Sequence, residues 1–137
     1  MFDRKSSEAA DFAPTQAETW VVVVEDMPEL AESISACLRL DGYQVRIATS
    51  GSEALDAVAE HGPLCVLLDI HLPDLDGREV ARRLRESHGS GIVLIAITGF
   101  GSNEDRIEPS FAAFDHYLRK PFDPASLRKI LPPATSA

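Results

Sequence analysis

The sequence has few cysteines and no long apolar segment. Only Cys37 and Cys65 are cysteine, and neither stands at a spacing with histidine that is typical of a metal site. Both lie within apolar patterns, so we interpret them as buried free thiols in a reducing compartment. No apolar stretch approaches the roughly 20 residues that a membrane span needs, and the first residues lack the apolar core of a secretory signal. We therefore expect a cytoplasmic protein that has no membrane partner.

Basic residues are scarce relative to acidic ones. Thirteen lysines and arginines stand against 22 aspartates and glutamates, which gives a formal net charge of −9 and a sequence pI near 4.8. A surface of this charge repels a phosphate backbone and argues against sequence-independent binding to nucleic acid. It fits a protein that meets other proteins or binds a cation. We predict no nucleic-acid partner.

The sequence does contain enough apolar material for one domain. Hydrophobic residues make up 45% of the 137 residues, a length that can bury a core without disulfides or structural metals. Residues 1–18 are polar and small and predict a flexible N-terminal tail. Residues 132–137 begin with two prolines and predict a short C-terminal tail. The expected domain covers residues 19–131.

Five short runs in this range have the composition of strands. The predicted strands are Trp20–Val24, Gln44–Ala48, Leu64–Leu68, Ile92–Ile97 and His116–Arg119. Three are almost wholly apolar, as expected of parallel strands covered on both faces. Strands that alternate with helical patterns predict an α/β fold, a doubly wound parallel sheet with helices on both faces. The flavodoxin-like strand order 2-1-3-4-5 suits five strands, and it places ligands beyond the carboxyl ends of strands 1 and 3.

The segments between the strands have helical spacing. The first helix presents Ile34 and Leu38 to the core, Ser50 or Ser52 caps the second, and the third presents Val80 and Leu84. In the last helix, Asp123 is the predicted N-cap and Pro124 the first helical residue. The helix predicted at 102–112 contains Pro109, which costs about 3 kcal/mol in a helix interior. We expect that helix to be short, kinked or mobile.

Two of the apolar strands end in acid. Asp69 follows the run Leu64–Leu68, and Glu25 and Asp26 follow Trp20–Val24. A carboxylate at the end of a buried strand is costly unless its charge is used. Because the expected topology brings strands 1 and 3 together, the three carboxylates should share one pocket and repel each other without a cation. Oxygen ligands without thiolate or paired imidazole favour a hard ion, Mg²⁺ or its substitute Mn²⁺.

Two further strand ends complete this pocket. Thr98 ends the fourth strand and places a hydroxyl at the rim, and Lys120 follows the fifth strand and supplies a fixed cation. Each residue alone has an ordinary interpretation, since strand-end aspartates are commonly helix caps. Together, a carboxylate nucleophile, a metal site, a hydroxyl and an ammonium group are what phosphoryl transfer requires. Their coincidence at one edge favours that chemistry.

These residues give the chain a resemblance to the receiver domain of two-component response regulators. The matching segments are Glu25-Asp26, the stretch 67–77, Thr98-Gly99 and Lys120-Pro121-Phe122. Each segment alone is a weak signal, but their order and their strand-end positions are specific. The resemblance covers about residues 20–131.

The resemblance implies a role for each matched position. Asp69 would be the phosphoacceptor, receiving a phosphoryl group from a phosphohistidine of a histidine kinase or a histidine phosphotransfer protein. The metal ligands would be three side chains and one main-chain carbonyl: Glu25, Asp26, Asp69 and His71. Thr98 and Lys120 would stabilise the phosphoryl group, and Tyr117 would follow Thr98 as an aromatic switch. The Lys120-Pro121 bond is usually cis in this family, and Pro73 and Gly77 resemble residues that shape the loop after the phosphoacceptor.

Two positions depart from the family pattern: Pro109 lies within the fourth helix, and Ala113 stands where the family often has glycine. Both lie on the surface formed by the helix at 102–112, the strand His116–Arg119 and the last helix, which in this family relays the phosphorylation state to a downstream protein target. Other interpretations stay open. A phosphatase of the haloacid dehalogenase type uses similar parts, but it needs an acid where this chain has His71. The third interpretation, after the switch and the phosphatase, is a degenerate receiver that acts as a constitutive docking module.

The setting of the domain in a longer chain also stays open. No output domain follows residue 131, and Met1 with a hydrophilic tail favours a stand-alone receiver. The segments 97–101 and 114–117 are similar to receivers attached to hybrid histidine kinases, which favours the alternative.

Overall fold

The computed structural model describes residues 19–99 and 112–131. Within these ranges the strands are β1 (Trp20–Val24), β2 (Gln44–Ala48), β3 (Cys65–Asp69), β4 (Val93–Thr98) and β5 (His116–Arg119). The α-helices are α1 (Pro28–Leu40), α2 (Gly51–His61), α3 (Gly77–His88) and α4 (Pro124–Ile130), and a 3₁₀ turn spans Gly89–Gly91. Both predicted tails, and all of the helix predicted at 102–112 except Ala112, lie outside the described residues. Among the described helices, none is long and apolar enough to cross a membrane.

The strands form one parallel sheet in the order β2-β1-β3-β4-β5, which confirms the predicted α/β fold and strand order. β1, β2 and β5 have the predicted bounds. β3 and β4 each begin and end one residue later than expected, and their last residues are paired in the ladder as Asp69–Ile97 and Thr98–Arg119. Asp69 and Thr98 are therefore the last residues of their strands, held by the sheet's own hydrogen bonds.

Both faces of the sheet are covered, so the central strands are buried throughout. Alternate residues of β1 point to opposite faces: Val22 and Val24 pack with residues of α2 and α3, while Val21 and Val23 pack with residues of α1 and α4. All four valines have no exposed surface. The alternation of strand and helix thus produces two apolar layers, with the sheet between them.

Local chemistry fixes the helix ends. Ser50 rather than Ser52 is the N-cap of α2, and its hydroxyl accepts a hydrogen bond from the amide of Glu53. The helix ends at Gly62, whose φ of 56° is the left-handed conformation that glycine adopts at low cost. Asp123 caps α4 as predicted, with Pro124 at its first position. The ends of α2 and α4 are therefore set by residues close to them in the sequence.

The two cysteines differ in exposure. Cys65 is buried in β3, as expected, and burial raises the pKa of its thiol. Cys37 is only partly buried, because it lines a groove of about 290 Å³ between α1 and the segment that precedes α4. The interpretation of Cys37 as a core residue was therefore wrong in part.

Candidate functional site

The three acids predicted to share a pocket lie together at the carboxyl end of the sheet. Glu25 follows β1 directly and Asp69 ends β3, so the pairing of these two strands brings the residues side by side. One carboxylate oxygen from each of Glu25, Asp26 and Asp69 lies within 4.8 Å of the others. Glu25 has no exposed surface and Asp69 is 4% exposed, whereas Asp26 faces solvent. Two buried carboxylates and one exposed carboxylate therefore converge at one point.

The surroundings of Glu25 raise the pKa of its carboxyl group. Burial raises its pKa from 4.5 to about 7, and the nearby charge of Asp69 adds to this effect while the Lys120 ammonium opposes it. Its Oε2 accepts a hydrogen bond from the Met27 amide at 3.2 Å. Its Oε1 lies 3.0 Å from Lys120 Nζ, but no donor among the described residues approaches it with hydrogen-bond geometry. This oxygen is buried, close to negative charge and incompletely satisfied.

The carboxylate of Asp69 is held from two sides. Its Oδ1 accepts a hydrogen bond from the His71 amide at 2.9 Å, and its Oδ2 accepts one from Lys120 Nζ at 3.2 Å. Burial alone would lower the pKa of Lys120, but the carboxylates of Glu25 and Asp69 outweigh it and the pKa is raised. The ammonium group thus stays charged between two acids that it partly neutralises.

The backbone around Lys120 fixes the position of this cation. Its amide donates to the Thr98 carbonyl at 2.9 Å, which extends the pairing of β4 and β5 by one residue. The Lys120-Pro121 peptide bond is cis. Since β4 and β3 are also paired, Lys120 reaches Asp69 across one strand.

The two predicted switch residues lie on neighbouring strands. Thr98 ends β4 with 1% of its surface exposed, one residue beyond Ile97, the partner of Asp69 in the sheet. Its hydroxyl lies 3.5 Å from the Leu118 carbonyl, at the outer limit of a hydrogen bond. Tyr117 is 39% exposed, and its ring centre lies 6.3 Å from that of Phe114. Pro109 lies outside the described residues, and Ala113 packs at the edge of the core.

The loop that follows Asp69 is compact. His71, whose side chain is exposed, forms an isolated antiparallel bridge with Asp76, and the Gly77 amide donates to the Ile70 carbonyl at 2.8 Å. A Cβ atom at Gly77 would overlap the Asp69 carbonyl oxygen. Only a residue without a side chain fits there, because the neighbouring atom belongs to the backbone.

Sequence reasoning included Asp74 in the matched stretch 67–77 but assigned it no role. Its carboxylate accepts hydrogen bonds from the amides of Gly51 and Ser52, at 2.7 and 3.0 Å, and so connects the loop to α2. The local sequence Leu72–Gly77 indicates a turn, and nothing in it points to a contact 22 or 23 residues away. No sequence signal could have found this contact.

The donor set fits a hard divalent cation. All three converging side chains offer carboxylate oxygens, and the buried Glu25 Oε1 has only a salt-bridge contact with Lys120 Nζ at 3.0 Å, without hydrogen-bond geometry, among the described residues. Three carboxylates converge beside one ammonium group, so the pocket holds more negative charge than Lys120 neutralises. Mg²⁺ and Mn²⁺ prefer such oxygen ligands.

Comparison with known proteins agrees with this geometry. Residues 21–132 match the family described as the response regulator receiver domain. The response regulator MprA of Mycobacterium sp. (strain KMS) is 40% identical over 102 residues, which are 74% of this chain and 44% of MprA. The probable transcriptional regulatory protein TcrX of Mycobacterium tuberculosis is also 40% identical over 102 residues and is matched over 43% of its length. The chain thus spans less than half the length of these relatives.

Solved structures give the same result. The receiver domain of the sensor histidine kinase PA1611 from Pseudomonas aeruginosa, with magnesium in its active-site cleft, has a TM-score of 0.74 and 33% identity, covering 82% of this chain and 93% of that domain. The response regulator TrrA of Thermotoga maritima, in complex with Mg²⁺ and BeF, has a TM-score of 0.74 and 30% identity, covering 81% and 94%. With its strand order and its strand-end acids, the chain belongs to the response regulator receiver domain family.

Proposed function

We propose that this domain is a phosphorylation-controlled switch in which Asp69 accepts a phosphoryl group from a phosphohistidine of a histidine kinase or a phosphotransfer protein. One observation carries the proposal. The Asp69 carboxylate is held between the His71 amide and the Lys120 ammonium, beside Glu25 and Asp26. This is a fixed nucleophile with a cation on one side and a metal-type donor set on the other.

The chemistry follows from these positions. A carboxylate oxygen of Asp69 attacks phosphorus, a P–O bond forms, and the P–N bond of the phosphohistidine breaks. The imidazole nitrogen keeps the electron pair and is reprotonated. The Lys120 ammonium, already 3.2 Å from Asp69, would bind a phosphoryl oxygen of the product. Glu25, Asp26, Asp69 and the His71 carbonyl would hold Mg²⁺, which supplies charge stabilisation for the phosphoryl oxygens.

The switch would act through Thr98 and Tyr117. The long contact of the Thr98 hydroxyl with the Leu118 carbonyl, at 3.5 Å, is easily exchanged for a bond to a phosphoryl oxygen. Inward movement of Thr98 would leave space for Tyr117, which is now 39% exposed. The surface of β5 and α4, together with the segment at 102–112, would then favour a different conformation and a different downstream protein.

The alternatives have less support. A haloacid dehalogenase-type phosphatase needs an acid at the position of His71, whose side chain faces solvent. A constitutive docking module would not require both Asp69 and Lys120 to be held in place. Since TcrX is described as a transcriptional regulatory protein, the predicted absence of a nucleic-acid partner applies to this acidic domain and remains a prediction.

The test is phosphorylation by a small donor. Acetyl phosphate with Mg²⁺ should add one phosphoryl group per chain, measured by intact mass, and EDTA should prevent it. Asp69→Asn should remove the adduct, while Asp56→Asn, a change of the same chemistry on an exposed face of α2, should retain it. An adduct that persists in Asp69→Asn would refute the assignment. Hydrolysis of a phosphate ester over many turnovers would favour the phosphatase.

A further inference from the structure

Asp74 joins the loop after Asp69 to the start of α2. Its Oδ1 accepts hydrogen bonds from the amides of Gly51, at 2.7 Å, and Leu75, at 2.9 Å, and its Oδ2 accepts one from Ser52 at 3.0 Å. The amides of Gly51 and Ser52 belong to the first turn of α2, where backbone donors have no partner within the helix. These bonds hold the pKa of Asp74 below its usual range, so the carboxylate is charged at neutral pH.

A second, apolar contact fixes the same junction. A Cβ atom at Gly51 would lie 2.9 Å from Leu75 Cβ and 2.9 Å from Val80 Cγ2. The first residue of α2 therefore touches both the loop and α3, with no room for even a methyl group. The loop is held against α2 by the charged contact of Asp74 and by the close packing of Leu75, and both contacts are made at Gly51.

The other end of this loop holds the Asp69 carboxylate. The His71 amide donates to Asp69 Oδ1 at 2.9 Å, and the bridge between His71 and Asp76 closes the loop on itself. This bridge pairs two residues that lie on either side of Asp74 within the loop 70–76. Asp74 thus lies in the segment between His71, whose amide holds Asp69, and the residue with which His71 is paired.

The anchor on α2 is itself fixed relative to the acidic pocket. The amide of Glu25 donates to the carbonyl of Ala48, the last residue of β2, at 3.0 Å. Two residues then separate Ala48 from Gly51 at the start of α2. The structure thus connects Glu25 to α2, α2 to Asp74, and Asp74 to the loop that orients Asp69.

We infer that Asp74 is a positioning residue for the phosphoacceptor. It anchors the loop 70–76 to α2, so that the His71 amide holds Asp69 in the orientation in which its carboxylate meets Glu25 and Asp26. Asp74 is not one of the three clustered acids, so in this assignment it acts through the loop and not as a metal ligand. The predicted effect on Mg²⁺ rests on the proposed function, whereas the predicted effect on the His71 amide does not.

The competing explanation is that Asp74 only caps α2, and a matched variant separates the two. Ser50→Ala removes the other side-chain cap of the same helix end, the bond from the Glu53 amide to Ser50 Oγ at 3.1 Å, without touching the loop. Gly51→Ala disturbs the loop from the opposite side while Asp74 keeps its charge. Asp74→Asn keeps one acceptor oxygen and should lie between Asp74→Ala and the wild type.

The experiment measures three quantities for each variant: stability in urea, the Mg²⁺ dissociation constant by calorimetry, and hydrogen exchange of the His71 amide. Loss of a direct hydrogen bond to a metal ligand weakens binding about 10- to 100-fold, so this indirect effect should be about 3- to 10-fold. We expect that weakening, with faster exchange at His71, in Asp74→Ala and Gly51→Ala. Ser50→Ala should lower stability while both site readouts stay at wild-type values.

The outcomes are distinct. If Asp74→Ala and Ser50→Ala change Mg²⁺ affinity and His71 exchange equally, Asp74 is only a cap and the inference is wrong. If the wild type binds no Mg²⁺ and accepts no phosphoryl group, the proposed function fails. In that case His71 exchange still decides whether Asp74 anchors the loop, because the measurement needs no metal and is made on the folded protein.

Discussion

The bodies of the central strands and their carboxyl ends belong to the same strands but differ in chemistry: the bodies are apolar and the ends are acidic. Along β1, Val21–Val24 are fully buried and apolar, and the next residue, Glu25, is equally buried but acidic. β3 repeats the change from Leu68 to Asp69. In the strand bodies each buried side chain contributes to stability. At the ends, burial works against the charge, and the sheet brings together groups that repel each other.

This difference separates the residues that maintain the fold from those that the proposed function uses. Apolar side chains in the strand bodies can be exchanged for others of similar volume, because packing is shared among many neighbours. At the ends, Asp69 has a defined partner on each side, the His71 amide and the Lys120 ammonium. We therefore expect substitutions in the strand bodies to change stability and substitutions at the ends to change chemistry.

The largest effect on stability is expected in a strand body. Leu94 in β4 has no exposed surface, and Leu94→Ala should lower the free energy of unfolding by about 2–5 kcal/mol, because it removes buried methyl groups and leaves a cavity. Urea denaturation measures this change. Leu40→Ala is the matched control, since Leu40 is 84% exposed and should lose little. Mg²⁺ affinity should be unchanged in both variants. A large loss of affinity in Leu94→Ala would show that the strand bodies affect the chemistry as well as the stability.

The second prediction concerns Gly77, where one substitution should change both the stability of the fold and the binding of Mg²⁺. Gly77→Ala places a Cβ atom against the Asp69 carbonyl oxygen and 2.7 Å from Ile70 Cα, and neither backbone atom can move without displacing β3. We expect a loss of about 1–3 kcal/mol from overpacking, together with weaker Mg²⁺ binding. Gly91→Ala is the control, because its Cβ would meet nothing within 4 Å. Normal stability in Gly77→Ala would mean that the loop relaxes freely.

The sequence predicted the strand bodies and the pocket because both depend on local patterns. Apolar runs mark buried strands, and the carboxyl ends of adjacent parallel strands necessarily meet, so the positions of Glu25 and Asp69 along the chain were enough to place them together. The one-residue shift of β3 and β4 has no local signal, since it depends on how far the ladder extends.

Contacts between distant segments could not be predicted. The helical pattern of α3 places Arg85 outside the apolar face of Val80 and Leu84, but it does not indicate what Arg85 binds. The guanidinium donates to three carbonyl oxygens and one carboxylate: Ala113, Gly89, Ile92 and Asp115. Arg85 therefore connects α3 to residues 113–115, which immediately precede β5. As with Asp74, the helical pattern locates the residue but not its partners up to 30 residues away.

The third prediction concerns the charge at the carboxyl ends. In metal-free buffer the pKa of Glu25 rises from 4.5 to about 7 on folding, so between these values the folded protein keeps a proton that the unfolded chain has lost. Stability should therefore fall as the pH rises through this window. The carboxyl groups of Asp74, Asp76 and Glu79 have lowered pKa values and titrate below it. We expect a loss of about 1–2 kcal/mol between roughly pH 5 and pH 8, measured in urea with EDTA.

Two controls identify the source of this pH dependence. Asp69→Asn removes the neighbouring charge, which adds to the effect of burial on this pKa, and should make the decline shallower, whereas Asp56→Asn on exposed α2 should keep it. Saturating Mg²⁺ should also flatten the decline, since a cation takes over the role of the proton. If stability declines with the same slope in the wild type, in both variants and with saturating Mg²⁺, a group other than Glu25 causes the pH dependence.

The smallest expected effect concerns Ser35. Like the acids at the strand ends, it is a buried polar residue, but it lies on α1 among apolar side chains. Ser35 on α1 has no exposed surface, and among the described residues its hydroxyl has no hydrogen-bond partner. Ser35→Ala should raise the free energy of unfolding by about 0.5–1 kcal/mol, because it removes an unsatisfied buried group and increases helix propensity. Ser33→Ala, on the exposed face of the same helix, carries only the propensity gain. The difference between the two variants in urea therefore measures the cost of the buried hydroxyl, and equal gains would mean that the Ser35 hydroxyl is satisfied by bound water.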